Sequence, residues 1–399
     1  MADPIRRRSS RLIWLAVGAV VALAWGELYT SVMTPQNVDT VLDILQPDPV
    51  VGYTYKPDTQ IDERGRGYDV PFDINGHGLR DREIGPKEDG VYRILLMGNS
   101  FSVSHGVAIE ESFSRAVEDA LNERRGELAD HERVEVINGA NAAYTVYNYW
   151  KGYTRWAEEF DLDAVLVGFV SGREHRCDPE GTRYVVRDGL VVGRFAEGEA
   201  VKLPRRDPIR RIRKFLARNS NEYVLLRNFL YYNDLVDRYL RGGDDSAGAA
   251  RALAPYRQPP PEGVTAGWQR AYSHLASLSE EVAADGAELM VVAIPQIIEV
   301  DAQRLADLRQ QAGLQADDVD PLQPTRSLRA FCEQAGITLL DPRSAVAAAH
   351  AQAPAYLLDD HWNARGIAAA AEAVAEQWRQ SGRPPFSAIE LSGTPAPTR

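Results

Sequence analysis

The chain has 399 residues, a formal net charge of −12 and 26% charged residues. That length buries a substantial core in one large domain with insertions or in two smaller ones, and an acidic balance with no offsetting basic stripe argues against nucleic acid as a partner. Two cysteines occur, Cys177 and Cys332, with no Cys-x-x-Cys and no Cys/His cluster at zinc spacing, so neither a structural metal nor any cofactor is expected.

At the N-terminus, Arg6, Arg7, Arg8 and Arg11 precede an apolar run from Leu12 to Trp25. Basic residues ahead of an apolar segment keep that end in the cytoplasm and place the downstream chain across the membrane. The uninterrupted run is about 14 residues, short of the roughly 20 that a spanning helix needs. Leu28, Tyr29 and Val32 extend it past Glu27, which favours residues 1–33 as an uncleaved inner-membrane anchor with the rest of the chain in the periplasm. Ala22-Leu23-Ala24 leaves open a signal cleaved near Ala24 and a secreted product, and a buried helix is the plain alternative. No cysteine lies near the run, which excludes a lipid anchor.

Residues 34–90 are rich in Pro, Gly, Asp and Tyr and read as short strands broken by turns, a lead-in wrapped on the main domain. From 91 to 380, continuous apolar strands alternate with amphipathic helices: strand Arg93 to Met97, helix Glu110 to Arg124, strand Val134 to Ala140, an aromatic helix through Trp156, and strand Asp163 to Val170. This rhythm predicts an α/β domain with a central parallel sheet covered on both faces. It is interrupted by an insertion at about 184–264. There, a hairpin turns at Arg187-Asp188-Gly189, a basic helical stretch runs from Arg205 to Leu240, and Gly242 to Gly263 reads as a mobile loop. Ile209, Ile212, Phe215 and Leu216 give the basic stretch an apolar stripe; such a helix fits a membrane surface, and a solvated face is the reading preferred. Regular structure resumes with helix Trp268 to Ala284, strand Leu289 to Ile294, helix Ser327 to Gln334, strand Ile337 to Leu340 and helix Ala364 to Trp378, and 381–399 is a tail. Cys332 shares a helix face with Leu328 and Phe331, which favours a buried free thiol over a disulfide with Cys177.

Ligands of open α/β sheets sit beyond the carboxyl ends of the strands. The residues found there are Gly98-Asn99-Ser100, then Asn138-Gly139-Ala140-Asn141, then Ser171-Gly172-Arg173-Glu174, with "YLLDDHWNARG" (356–366) before the last helix. Ser100 alone is a common turn residue, and His361 alone fits a satisfied histidine under a helix start. Together they fit a nucleophile and its base, because a serine hydroxyl is weak until an imidazole takes its proton and that imidazole needs an acidic partner. Asp359, two residues before His361 in an extended loop, projects to the same side; Asp360 points away. Asn363 is placed to cap the terminal helix.

"RILLMGNSFSVSHGV" (93–107) resembles the first block of the SGNH (GDSL-type) hydrolase superfamily, "DDHWNARG" (359–366) resembles its last, and "FDINGHGLRDREI" (72–84) resembles the lead-in of its membrane-anchored bacterial members. The resemblance implies a flavodoxin-like three-layer α/β/α sandwich with a helical insertion and an N-terminal membrane segment. It also implies an acyl-ester hydrolase or O-acyltransferase acting on an acylated carbohydrate, with acetyl groups on extracytoplasmic polysaccharide the expected substrate, or on a small ester. Ser100 is then nucleophile, His361 base and Asp359 its partner. The oxyanion candidates are the backbone amides of Gly139 or Ala140 and the guanidinium of Arg173, and Asn99 and Asn141 line the site. The family's Asp after Gly98 is Asn99 here, and its Gly-Asn-Asp of the third block is Gly172-Arg173-Glu174, which removes an asparagine donor. Arg173 either replaces that donor or pairs with Glu174 or Asp178. The competing function is a degenerate member that kept the pocket as a glycan-binding or assembly component.

Overall fold

Five strands, β5 (Val91–Gly98), β6 (Arg133–Asn138), β7 (Ala164–Phe169), β10 (Glu288–Ala293) and β11 (Thr338–Leu340), pair in the spatial order β11-β10-β7-β5-β6, and every pairing is parallel. Counted along the chain this is the order 2-1-3-4-5 of the flavodoxin-like sheet, whose switch point lies between its first and third strands, here β5 and β7. The computed structural model describes residues 4–34, 44–65, 68–187, 189–196, 198–199, 208–232 and 245–386.

The three layers follow from period-two alternation on strands buried on both faces. Ile94 and Leu96 of β5 face one side with Val136, Leu166 and Val292, packed against helices Phe113–Asn122 and Ala364–Ser381 through Val117, Leu121, Val374 and Trp378. Leu95 and Met97 face the other with Val165, Val167 and Val291, under helices Val146–Phe160, Glu262–Ala284 and Gln323–Ala335. Each fully buried large apolar side chain contributes about 1.5 to 3 kcal/mol. Cys332 (1% exposed) and Cys177 (2%) are both free thiols within the second face.

The lead-in supplies two small antiparallel pairs, β1 (Leu45–Asp48) with β2 (Gly52–Tyr55) and β3 (Thr59–Gly65) with β4 (Tyr68–Ile74). Tyr53, Tyr55 and Phe72 are fully buried, so this segment is part of the domain rather than a linker.

Several boundaries differ from the sequence reading. Residues 44–201 and 244–399 form one unit, and 1–43 with 202–243 form another. The hairpin β8 (Arg183–Arg187) with β9 (Leu190–Phe195) therefore belongs to the main domain, where the Tyr184 hydroxyl accepts from Asn148 Nδ2 at 3.0 Å and packs edge-on to Tyr53. Within the stretch expected as a loop from Gly242 to Gly263, Asp245–Leu253 is helical, because Ala249, Leu253 and Tyr256 recur at helical spacing and are buried; 242–244 lie outside the described residues. Helices Ala302–Ala312 and Arg343–Gln352 have no counterpart in the sequence reading. The tail begins later than 381: Trp378 Nε1 donates to Pro384 O at 2.8 Å and Phe386 bridges to Leu128. The remainder, 387–399, lies outside the described residues, as does 233–240 of the basic stretch.

In the smaller unit, a continuous helix runs from Pro4 to Met33. Trp14, Leu15, Val20, Leu23 and Trp25 are exposed on it. Among the described residues no helix is long and apolar enough to cross a membrane; Leu12, Ile13 and Ala16 of the apolar run are outside those whose surroundings are described. The basic stretch forms helices Pro208–Asn219 and Asn221–Tyr232, with Ile212 and Phe215 exposed. Glu27 accepts from Ser220 Oγ (2.6 Å) and the Asn221 amide (2.7 Å), capping the second of these helices.

Candidate active site

The turn leaving β5 is built from small and polar residues for steric reasons. Gly98 pairs with Gly168 of β7, and a Cβ on either would meet Ser102 Oγ, at 2.0 and 2.2 Å respectively. Two glycines let the short helix Ser100–Val103 settle onto the sheet at the switch point. Asn99 caps it, its Oδ1 accepting from the Phe101 amide at 3.1 Å, and Ser104 ends it in the left-handed region at φ 66°. Ser100 thus stands at the first helical position, beyond the carboxyl end of the sheet.

The second half of the site is a tight loop. Tyr356 bridges to Trp362, the Leu357 amide donates to His361 O at 2.7 Å, and Asn363 caps the terminal helix through the Gly366 amide at 3.1 Å. Trp362 is buried edge-on to Phe101 and Phe113, which fixes the loop against the Ser100 turn. His361 Nε2 then lies 2.8 Å from Ser100 Oγ. Asp359 Oδ1 lies 3.3 Å from His361 Nδ1, but off the ring N–H direction, so Nδ1 has no aligned hydrogen bond. Such contacts commonly tighten when substrate binds. Burial alone would raise the Asp359 carboxyl; the adjacent His361 ring and the His361 amide, which donates to Asp359 Oδ1 at 3.3 Å, outweigh it and hold the group below the usual range. Asp360 turns away to Arg304, 3.4 Å distant.

The third loop is arranged around a buried acid. Glu174 Oε1 accepts from Asn99 Nδ2 (3.0 Å) and the Tyr149 hydroxyl (2.9 Å). Asp178 is taken by Arg194 (3.0 Å) and Tyr184 (2.9 Å). Arg173 therefore bonds to neither expected carboxylate; its guanidinium carbon lies 5.4 Å from the centre of the ring of Phe101, the residue after Ser100. The loop is held from behind where helix Glu262–Ala284 crosses it at Gly267, a position at which a Cβ would meet His175 O at 1.8 Å. Gly139 donates its amide to Leu96 O (2.9 Å) and Ala140 to Asn138 Oδ1 (3.2 Å), so each would have to exchange a bond to serve an oxyanion. Asn141 is 2% exposed, its amide on Gly98 O (3.2 Å) and its Oδ1 without a partner. Among the described residues no three His, Cys, Asp or Glu side chains gather as a metal site.

Sequence reasoning missed the lead-in's contribution. Arg80, 1% exposed, donates to the carbonyls of Val103 (2.7 Å), Ser104 (2.7 Å) and Val107 (2.6 Å), fixing the chain just after Ser100. Asp81 receives the Asn138 amide at 2.6 Å and so sets the end of β6. Tyr68 reaches Asp359 Oδ2 at 3.5 Å, and Glu63 is hydrogen-bonded to His105, whose ring lies 5.9 Å from that of His361. The available signal was the charged pair Arg80-Asp81 closing an otherwise turn-like segment.

A parallel sheet of this order, with a serine on the turn leaving its first strand and a histidine returning to it from the loop before the last helix, is the architecture of the SGNH hydrolase class. Residues 257–393 match the family model described as "SGNH hydrolase-like domain, acetyltransferase AlgX", and the chain carries an SGNH hydrolase-like domain. Solved structures similar to it include TesA (11% identity, covering 72% of this chain and 98% of that one, TM-score 0.36). A protein described as "a putative SGNH hydrolase from Slackia heliotrinireducens" is 16% identical (72% and 99% covered, TM-score 0.37). A mutant of Axe2, an acetyl-xylooligosaccharide esterase from Geobacillus Stearmophilus, is 14% identical (74% and 95% covered, TM-score 0.36). Superpositions this loose say nothing about the site. No curated protein matches the chain.

Burial pushes the Glu174 carboxyl up to about 8, against hydrogen bonds from Tyr149 and Asn99 that favour its ionised form. In the unfolded chain a glutamate titrates near 4.3. Between those values the folded protein holds a proton that the unfolded chain has lost, so this group's contribution to stability falls as pH rises from about 5 to 8. Glu174→Gln, which stays neutral, removes that slope. Denaturant unfolding of both proteins across this range should show wild type losing ground to the variant as pH rises; parallel curves would mean Glu174 ionises normally.

Proposed function

We propose that the chain is a serine-dependent acyl-ester hydrolase or O-acyltransferase, with acetyl groups on a polysaccharide or a small ester as donor. The observation that carries this reading is the 2.8 Å contact between Ser100 Oγ and His361 Nε2. Ser100 Oγ attacks the ester carbonyl as its proton passes to His361; the imidazolium, steadied by Asp359, protonates the leaving alkoxide. Water or an alcohol then gives its proton to His361 and attacks the acyl-serine, and Ser100 Oγ leaves with the proton returned. For the oxyanion, the Ser100 amide stands at a helix start with no partner among the described residues. The Asn141 carboxamide, buried beside the turn with Oδ1 unpartnered, carries two Nδ2 donors at the same edge of the sheet. Arg173, with no carboxylate partner among the described residues, adds a cation at the same end of the sheet.

The committed amides of Gly139 and Ala140 favour the second reading, a non-catalytic glycan-binding component. Turnover of an aryl acetate separates the two. Ser100→Ala and His361→Ala should each cut kcat by about 10⁴-fold, with no further loss on combining them. Asp359→Asn should be severe and Asp360→Asn mild, and Arg173→Ala should cost about 10²- to 10³-fold in kcat with little change in KM if its guanidinium faces the oxyanion. Ser100→Ala turnover equal to wild type would end the serine reading.

The domain is further proposed to face the extracytoplasmic side behind an inner-membrane anchor at residues 1–33. Support comes from the four arginines ahead of Leu12 and from the exposed Trp14, Leu15, Leu23 and Trp25 along one continuous helix. Protease added to spheroplasts should digest the domain while the inner membrane is intact; complete protection would reverse the orientation.

A further inference from the structure

His105 lies five residues beyond Ser100, and nothing in the serine chemistry above uses it. Its Nδ1 is hydrogen-bonded to Glu63 Oε1, and Glu63 Oε2 receives the Gly106 amide at 3.1 Å. Glu63 is 8% exposed and comes from the lead-in hairpin. The His105 ring stacks on Phe72, with centroids 5.5 Å apart, and lies 5.9 Å from the His361 ring. Nε2 points elsewhere than the carboxylate, has no hydrogen-bond partner among the described residues, and is not sealed from solvent. A carboxylate only accepts, so Nδ1 carries hydrogen; Nε2 then offers a lone pair when the ring is neutral and an N–H when it is charged. A hydroxyl group answers either form. Two carboxylate–imidazole pairs thus lie side by side, Asp359–His361, whose Nε2 meets Ser100 Oγ, and Glu63–His105, whose Nε2 has no hydrogen-bond partner among the described residues.

We propose that Glu63 and His105 form a subsite for the acyl acceptor, which selects an alcohol bearing a second hydroxyl next to the one that attacks. This rests on the serine reading above. One hydroxyl oxygen attacks the carbonyl carbon of acyl-Ser100 and its proton goes to His361 Nε2; the bond from that carbon to Ser100 Oγ breaks, and the proton returns to the serine. The neighbouring hydroxyl is held by a hydrogen bond to His105 Nε2, which takes no proton in the step. Ring centres 5.9 Å apart put the two imidazoles within range of one small polyol, each through a hydrogen bond of about 2.8 Å. Water has no second hydroxyl to offer, so the subsite biases the acyl-enzyme toward transfer. Glu63 fixes the ring's direction and is a positioning residue.

The test measures how the full-length protein partitions acetyl from 4-nitrophenyl acetate between glycerol and water, read as the ratio of glycerol acetate to free acetate, with 1,3-propanediol in place of glycerol as the control. This ratio is independent of how much enzyme is active. Wild type should favour glycerol over 1,3-propanediol. His105→Leu should lower the glycerol ratio by about tenfold, the worth of one hydrogen bond, and leave the 1,3-propanediol ratio in place. His105→Gln, which can still accept through Oε1, should recover part of it, and Glu63→Gln should fall between. A merely structural role lowers both products together and keeps the ratio, and that result would overturn the proposal, as would equal ratios for the two diols in wild type. Release of nitrophenol with an unchanged ratio in His105→Leu overturns the subsite alone; no nitrophenol release by wild type removes the serine reading and the subsite with it.

Discussion

The hydrogen bond from Ser100 to His361 joins residues 261 positions apart, and most of the fold can be understood as what that bond requires. The serine is carried by the first strand of the sheet and the histidine by the loop before the last helix. They meet because parallel pairing puts all strand ends on one edge, and because the 2-1-3-4-5 order opens a crevice between β5 and β7. Glycines at 98 and 168 remove the side chains that would otherwise keep the Ser100 turn off the sheet. Trp362, wedged between Phe101 and Phe113, ties the histidine loop to the same turn through apolar packing rather than through the Ser100–His361 contact itself.

A second layer of constraint comes from the lead-in. Removing a guanidinium from water is costly unless its donors find partners, and the two terminal nitrogens of Arg80 find them on three carbonyls of the chain after Ser100, while Nε is left without one. That exchange makes the geometry of Val103 to Val107 depend on a residue of the lead-in. Asp81 does the same for the end of β6, and β3 and β4 bring Glu63 and Tyr68 to the rim. The segment before the first sheet strand is therefore part of the site's framework.

The sheet strands were legible because continuous apolar runs on doubly covered strands leave a strong signal, and the approach of Ser100 to His361 was legible as geometry because one lies just beyond such a run and the other just before a capped helix. The helix at Asp245–Leu253 was not, since its alanine-rich text looks like low complexity until Leu253 and Tyr256 are seen to be buried. The oxyanion side was the least legible. Whether the amides of Gly139 and Ala140 are free depends on Leu96 O and the Asn138 side chain, and Arg173's lack of a carboxylate partner depends on Asn99, Tyr149, Arg194 and Tyr184 having taken Glu174 and Asp178 first. Those are competitions among distant groups, which spacing along a chain does not record.

Asn99 and Glu174 together also explain how the altered blocks coexist. An amide at 99 can cap the helix that begins at Ser100 through Oδ1 and donate through Nδ2 to the buried acid at 174, which an ionised carboxylate at 99 has no proton to do. The exchange conserves a bonded turn beneath Ser100 while changing the charge around it. Whether that serine is a working nucleophile is tested most directly by intact-mass analysis after treating the full-length protein with a fluorophosphonate. An activated Ser100 predicts a single adduct on that residue, absent from Ser100→Ala and strongly slowed in His361→Ala; an unlabelled wild type, or labelling that persists in Ser100→Ala, would contradict it.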